Sequence, residues 1–509
     1  MNSILDRRAF IRLCTACAAF LSQAAHPQAK LAPPVSRGRG PVKNRKNFVG
    51  IQVRSYAWVD EGIDQVLDNM QQKGDVNTVW AYSFGYGETR LRKGGPIMLP
   101  DHGVSGDSVT GGVYYDYDPK YFLNTPLKEF RVHDYGKFNL IADVAPKAKA
   151  RGMDFFAWDL NNSSPTLLRT IPGFAEITEI DLYGRRTPSP CFNHPDYRAW
   201  LTGKVESVLS GYPDLVDGYA WGSERMGPFE NVMGRGGNAG CFCPFCRAKA
   251  RDRGVSAERA QDGYRELAQL YQAAAKDKRP VDGYFVSFWR LLLKYPEILS
   301  WETLWTDSFQ EVQAELYGTC KAIAPQKPFG FHIMQSMTFS PFYRAEEDYA
   351  KRREFADFLK PATYNNAAGP RLAEYLAQLS HTIFHDAEPK DFLDFYYKIM
   401  DYKEAPYDEL AATGLSADYV ARETKRAVTG VAGQTKIYPG IDIDVPTLIS
   451  TGKEVEKRTH PDDVRRSIRA AIGAGADGVV LSRDYVEMWL ANLSAAGETL
   501  RELYPQPTK

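Results

Sequence analysis

Eight strand-like apolar runs alternate with amphipathic helical patterns from Phe48 onward, and this alternation limits the possible folds more than any other feature. In order, the runs are FVGIQVRSYAW, NTVWAYSFGYG, MDFFAWDLNN, DGYAWGSE, KPFGFHIMQS, DFLKPATYNN, TKIYPGIDIDVP and GVVLSRDY. The pattern predicts an α/β fold, a parallel (β/α)₈ barrel with insertions after strands 2 and 4. A doubly wound open sheet is disfavoured because its first strand would normally lead into a glycine-rich phosphate turn, and VRSYAWVDEG offers none.

The candidate site residues are those at the carboxyl ends of the predicted strands, because barrels of this kind build their active sites there. They form a ring of acids, aromatic residues and arginines: Arg54, Trp58, Trp80, Tyr82, Trp158, Asp159, Trp221, Glu224, His332, Tyr364, Asp442, Asp444, Arg483 and Asp484. The sequence has no compact three-histidine set, no metalloprotease helix motif and no Gly-x-Ser-x-Gly elbow. Metalloprotease and serine-hydrolase chemistry are therefore poor matches.

A pair of carboxyl groups is the chemistry that this ring can supply. Glycoside hydrolysis needs one protonated and one ionised carboxyl facing the scissile bond. We expect Glu224, after the fourth strand, to be one of them, although it could be a surface acid paired with Arg225. Asp442 and Asp444 share one face of the seventh strand and are the candidate partners. Either aspartate could instead cap the strand end or pair with Arg483.

The remaining ring residues are predicted to bind substrate: Arg54, Trp58, Tyr82, Trp158, Asp159, Trp221, His332, Tyr364 and Arg483. Aromatic side chains make up 13% of the chain, with 9 Trp and 29 Tyr, and exposed aromatic rings stack on sugars. The tryptophans could equally be packing residues, and His332 a hydrogen-bonded core histidine. The 63 basic and 63 acidic side chains cancel, so nucleic acid and anionic membranes are poor candidate partners. The sequence leaves open whether the protein forms a homo-oligomer.

The amino terminus resembles an export signal. Arg7 and Arg8 form a twin-arginine pair, followed by a short apolar run and small residues suited to cleavage. We expect residues 1–29 to be a twin-arginine signal peptide, 30–47 a linker rich in proline and arginine, and 48–509 the barrel. The apolar run is too short to span a bilayer. The protein is therefore predicted to be periplasmic or secreted.

Three cysteines in CFCPFC, Cys241, Cys243 and Cys246, predict a structural zinc site in an insertion around residues 191–250. A tetrahedral site needs a fourth ligand, for which Cys191 is the first candidate and His194 the second. The twin-arginine route exports folded proteins, which suits a metal loaded on reduced thiols. The alternative is one disulfide with spare thiols, although five cysteines after the signal peptide make a pure disulfide framework awkward.

The middle of the chain resembles the family 42 glycoside hydrolases. The features that carry this resemblance are a cysteine before FNHPDYRAW, the strand-four glutamate, CFCPFC and a helical segment with SFW. The resemblance covers about a third of the chain, from Cys191 to His332. It implies a β-galactosidase-type retaining barrel, with zinc on Cys191, Cys241, Cys243 and Cys246, and with Glu224 as the acid/base.

Two positions depart from the family pattern. Ser223 stands where the large retaining clan has asparagine, and the seventh strand offers only Asp442 and Asp444 in place of the nucleophilic glutamate. Aspartate is one methylene shorter, which weakens the inference of a retaining mechanism. We therefore expect an exported glycoside hydrolase-like enzyme that is a divergent relative. The alternative is a saccharide-binding barrel that keeps the aromatic cleft without catalysis.

Overall fold

The structure is a computed structural model that describes residues 47–85, 99–103, 110–160, 165–235, 237–445 and 458–505. The predicted signal peptide and all but the last residue of the predicted linker lie outside these ranges. Within them, no helix is long and apolar enough to cross a membrane.

The strands occur where the apolar runs lie. In chain order they are β1 Phe48–Val53, β2 Thr78–Gly85, β3 Gly112–Val113, β4 Asp154–Leu160, β5 Thr178–Ile180, β6 Arg186–Pro190, β7 Gly218–Gly222, β8 Phe329–Ile333, β9 Phe358–Pro361, β10 Lys436–Ile437, β11 Gly440–Asp442 and β12 Gly478–Ser482.

The main sheet is parallel and closes on itself. Its strand order is β10-β9-β8-β7-β4-β2-β1-β12-β11, with the short β3 antiparallel to β2. The strands β10 and β11 are two parts of one barrel strand: β10 pairs with β9, β11 pairs with β12, and a bridge joins Ala362 to Gly440. Counting them as one gives eight parallel strands, so the predicted (β/α)₈ barrel is confirmed.

Helices surround the barrel. They are α1 Ser55–Ala57, α2 Ile63–Asp68, α3 Leu140–Ala150, α4 Pro165–Thr170, α5 Pro195–Gly211, α6 Pro228–Arg235, α7 Pro244–Asp252, α8 Ala257–Ala274, α9 Tyr284–Lys294, α10 Glu297–Ile323, α11 Pro341–Glu346, α12 Tyr349–Arg352, α13 Asn365–Ser380, α14 Pro389–Met400, α15 Tyr407–Thr413, α16 Ala417–Val431, α17 Pro461–Gly473 and α18 Leu490–Leu503. The large core lies between these helices and the outer faces of the strands.

The inside of the barrel is filled by aromatic rings that face small residues. Alternate strand residues form a separate apolar cluster with Trp80, Phe156, Trp158 and Phe358 among its members. Gly218 faces this cluster, and a Cβ atom there would lie 2.6 Å from the Phe156 ring. Large rings opposite glycine leave no pore, so ligands can reach the barrel only at its mouth.

Insertions follow three strands. The predicted one after β2 contains β3, and the predicted one after β7 contains α6 to α10. A third follows β4, where α4 precedes the hairpin of β5 and β6. This hairpin ends one residue before Cys191, so its position determines where Cys191 lies.

Candidate functional site

Glu224 lies two residues beyond β7, at the mouth of the barrel, and 37% of its side chain is exposed. His332, on β8, is buried and places its Nε2 3.2 Å from Glu224 Oε1. Burial alone would raise the pKa of Glu224. The hydrogen bond from His332 and the charges of Arg483 and Arg371 outweigh it and hold that pKa well below its usual range. Glu224 is therefore a carboxylate at neutral pH.

Lys360, which the sequence analysis did not select, lies beside this pair. It is fully buried on β9, in register with His332, and its Nζ is 3.5 Å from His332 Nδ1. The same ammonium donates to the Tyr364 hydroxyl over 2.5 Å. Burial lowers the pKa of Lys360 to about 7, with Glu224 opposing the shift. A buried amine that titrates near neutral pH is typical of functional sites.

Gly440 on β11 makes room for this lysine, because a Cβ atom at that position would lie 2.7 Å from Lys360 Cε. Alternation would have placed Lys360 on the inward face of DFLKPATYNN, two residues beyond Phe358. That is the one sequence signal that could have identified it.

Arg371 on α13 extends the network from the other side. Its Nη1 donates to Gln335 Oε1, and Gln335 Nε2 donates to the Tyr364 carbonyl over 2.8 Å. Burial lowers the pKa of Arg371, and the charge of Arg483 lowers it further. The negative charge of Glu224 raises it in part. The contacts form a continuous chain from Arg371 through Gln335, Tyr364, Lys360 and His332 to Glu224.

The two aspartates of the seventh strand hold the backbone. Asp442 accepts hydrogen bonds from the amides of Ala367, Asp444 and Val445 and from the Thr459 hydroxyl, at 2.8–3.1 Å. Asp444 accepts from the amide of Thr459 at 3.0 Å and forms an ion pair with Arg458. Burial raises the pKa of both aspartates, and this effect outweighs the hydrogen bonds and the Arg458 charge, which lower it. Asp442 caps the strand end, one of the alternatives that the sequence left open, while Asp444 pairs with Arg458 rather than Arg483.

The predicted arginines of the first and eighth strands both have acidic partners. Arg54 lies 2.6 Å from Asp484, with its guanidinium carbon 5.5 Å from the centre of the Tyr82 ring. Burial raises the pKa of Asp484, and Arg54 opposes that shift. Arg483 pairs with Glu487 at 2.5 Å, an acid that the sequence analysis did not select.

Several predicted substrate-binding residues are packed rather than exposed. Trp58, Trp158 and Trp221 are at most 1% exposed, as is Trp80 of the wider ring of candidates. Trp158 packs edge-on against His332, with ring centroids 5.9 Å apart, and so supports the imidazole from within the barrel. Trp221 faces outward, 5.8 Å from the Phe309 ring on α10. Asp159 is also buried, 2.7 Å from Lys204 on α5. These side chains build the barrel around the site.

The four predicted zinc cysteines lie together. The sulfur atoms of Cys191, Cys241, Cys243 and Cys246 are within 4.8 Å of one another, all four residues are buried, and none forms a disulfide. Cys191 Sγ is 3.6 Å from Cys243 Sγ and 3.5 Å from Cys246 Sγ, close to the spacing that ~2.3 Å zinc–sulfur bonds impose. His194 is not part of this group. It lies against the Phe245 ring.

The cysteine cluster and Glu224 are joined through Arg225. The guanidinium of Arg225 donates to the carbonyl of Pro190, next to Cys191, over 2.5 Å and lies 2.5 Å from Glu179. It also lies over the Phe192 ring, 4.5 Å from its centre. Arg225 therefore pairs with Glu179, and not with Glu224 as the surface-pair alternative supposed.

Comparisons with known proteins find a likeness in fold. No protein-family model matches the sequence, and no curated protein matches it. A β-galactosidase from the Antarctic haloarchaeon Halorubrum lacusprofundi matches 90% of this chain at a TM-score of 0.51 and 13% identity. A β-galactosidase from Marinomonas ef1 and the family 42 β-galactosidase Gan42B from G. stearothermophilus each match 90% of it at a TM-score of 0.49 and 11% identity.

The chain spans 58% of the Halorubrum enzyme, 59% of the Marinomonas enzyme and 57% of Gan42B. At these identities the match concerns the fold. The chain shares the α/β barrel fold of the Halorubrum β-galactosidase, as a divergent version of it.

Proposed function

We propose that the protein hydrolyses glycosidic bonds, with Glu224 as the acid/base and Asp444 as its carboxyl partner. The observation that carries the proposal is the position of Glu224. It is a partly exposed carboxylate just beyond the fourth barrel strand, hydrogen-bonded by a buried histidine. Carboxyl pairs at the mouth of a barrel are the usual means of glycoside hydrolysis.

The proton that Glu224 needs as a general acid has a source in the network. The neutral His332 ring carries its proton on Nε2, because Nδ1 faces the Lys360 ammonium. Lys360 gives a proton to Nδ1 while the Nε2 proton passes to Glu224, which leaves a neutral amine, a neutral imidazole and a protonated carboxyl. A lysine pKa of about 7 lowers the cost of this transfer, which the low pKa of Glu224 opposes.

Asp444 is a better partner than Asp442. The oxygens of Asp442 already accept four hydrogen bonds that cap the strand. One oxygen of Asp444 instead pairs with Arg458, whose side chain is 43% exposed. Asp444 itself is 4% exposed, but the arginine side of the pair is open to solvent, so a bound sugar can displace the guanidinium.

The second candidate function is a saccharide-binding barrel without catalysis. It is favoured by the low pKa of Glu224, since a general acid normally has a raised one, and by the ion pair of Asp444. A panel of aryl glycosides and oligosaccharides separates the two functions. The hydrolase proposal expects turnover of at least one member, whereas saturable binding without turnover supports the binding barrel.

We further propose that Cys191, Cys241, Cys243 and Cys246 hold one structural zinc. The spacing of the sulfurs supports it, as do backbone amides of Ile180, Asn193 and Cys243 that lie 3.4 Å from sulfur atoms. Zinc would neutralise the thiolates and fix the loop whose Pro190 carbonyl holds Arg225. Loading before export fits the twin-arginine signal that we propose for residues 1–29. Metal analysis of protein purified without chelators tests the site.

A further inference from the structure

The cations at the mouth of the barrel are not all balanced by acids. Arg54 has Asp484 and Arg483 has Glu487, at 2.6 and 2.5 Å. Arg371, by contrast, donates to the neutral amide oxygen of Gln335, and no carboxylate forms an ion pair with it in the part of the chain that the structure describes.

Lys360 contacts a hydroxyl and an imidazole in place of an acid. Glu224 is the acid whose charge acts on both Lys360 and Arg371, and it accepts a hydrogen bond from His332. The charge of Asp442 also acts on Arg371, but the oxygens of Asp442 already accept four hydrogen bonds at the strand end. Among the described residues, neither Lys360 nor Arg371 therefore has a carboxylate in direct contact, and the site has cationic groups available to an anion.

An arginine in such a place needs a reason, because partly burying a charge without a counterion in contact costs free energy. Gln335 is 4% exposed and hydrogen-bonds to both Arg371 and the Tyr364 carbonyl, so it orients the guanidinium without neutralising it. Arg371 itself is half-buried. A guanidinium that is oriented by an amide and reachable from solvent is suited to bind an oxyanion in a forked geometry.

We propose that the saccharide carries an anionic oxygen group, a carboxylate or a sulfate ester, on the ring bound beside Glu224, and that Arg371 binds it. This inference rests on the proposed function and narrows the substrate to acidic sugars. The buried Lys360 adds to the positive potential from behind Tyr364.

Matched substrates that differ only in charge test the inference. The first pair is para-nitrophenyl glucoside and glucuronide, and the second is the galactoside with and without a sulfate on its primary hydroxyl. We expect the charged member of at least one pair to be preferred in kcat/KM by about tenfold or more, the range for a hydrogen bond to a charged group. The preference should weaken as sodium chloride is raised. The two pairs distinguish a carboxylate from a sulfate.

Arg371→Gln should abolish that preference through KM, so that the charged and neutral members of each pair reach similar kcat/KM. Arg265→Gln makes the same charge change on α8, where Arg265 pairs with Asp262 at the surface, and should keep the preference. Neutral substrates turned over as well as charged ones in both pairs would overturn the inference. An equal loss of kcat/KM on charged and neutral substrates in Arg371→Gln would also overturn it, because Arg371 would then act only through Glu224.

The same pairs separate this inference from the hydrolase proposal. If no substrate is turned over, hydrolysis fails as the function. Calorimetric titration of the wild-type protein with glucuronate, galactose sulfate and the two neutral sugars then decides the inference. Tighter binding of a charged sugar supports it, and the absence of such binding overturns it.

Discussion

The buried ion pair between Lys204 and Asp159 offers a direct check on the role of Asp159, which the sequence placed in the substrate site. Both side chains are 1% exposed, and Lys204 Nζ lies 2.7 Å from the carboxylate. The ammonium also lies 4.1 and 4.2 Å from the ring centres of Phe84 and Trp200. Burial lowers the pKa of Lys204, and Asp159 opposes that shift. The geometry assigns Asp159 to the barrel wall.

Replacing Lys204 with methionine keeps the packing volume and leaves a carboxylate without its cation. Removing one partner of a buried pair costs about 3–5 kcal/mol. With ~2.1 cal/mol/K of unfolding entropy per residue, a barrel of roughly 460 residues loses about 1 °C per kcal/mol. We therefore expect Tm to fall by about 3–5 °C in differential scanning calorimetry. Adding Asp159→Asn removes the buried charge and should restore more than half of that loss.

The reasoning would be refuted by a Lys204→Met variant that melts within about 1 °C of the wild type, which is the shift expected for 1 kcal/mol. It would also be refuted if KM changed strongly while Tm stayed constant, because Asp159 would then face the substrate. A matched control is Lys294→Met, which removes a lysine paired with Glu266 at the surface and should change Tm by less than about 1 °C.

Three other variants test the remaining structure. Cys243→Ser should lower the zinc content measured by elemental analysis and lower Tm, and full metal content in folded protein would contradict the proposed site. The pKa of Lys360 is about 7 in the folded protein, so between pH 7 and its ordinary pKa the folded state binds fewer protons than the unfolded state. Stability therefore rises with pH in that window by up to ~1.4 kcal/mol per pH unit. Lys360→Met should flatten this slope in urea titrations, and an unchanged slope would contradict the assignment. Burial raises the pKa of Glu302 and of Glu346, and the charge of Glu302 raises that of Glu346 further. Both acids bind more protons when folded, so stability should fall as pH rises above their ordinary pKa values. The double variant Glu302→Gln with Glu346→Gln should remove that fall.

Much of the barrel could be predicted from the sequence because each strand is an apolar run between polar helices. All eight runs contain a barrel strand, and the positions of Glu224 and His332 at the mouth follow from the strand ends. The hairpin of β5 and β6 was missed since its sequence, TEIDLYGRRTPSP, has neither a long apolar run nor clear alternation. Its position depends on tertiary contacts.

The site was harder to predict than the fold. Alternation separates inward from outward residues but not packed rings from exposed ones, so Trp158 was predicted to contact sugar when it supports His332. Trp221 packs against Phe309, which comes from a helix more than eighty residues later in the chain. Arg371 lies on a helix, where no strand-end rule applies, and only the folded chain brings it to Gln335.

Turnover by Glu224→Gln, compared with the wild type on the best substrate of the glycoside panel, tests the central claim most directly. Glutamine keeps the shape and can still contact His332, but it cannot carry a transferable proton. We expect kcat to fall by about 10²–10⁴-fold, while sugar binding measured by calorimetry stays close to that of the wild type. Glu258→Gln, a change at an exposed glutamate that pairs with Arg247, should leave kcat unchanged. A Glu224→Gln variant with kcat within a few fold of the wild type would contradict the account, because Glu224 would then have no part in cleaving the bond.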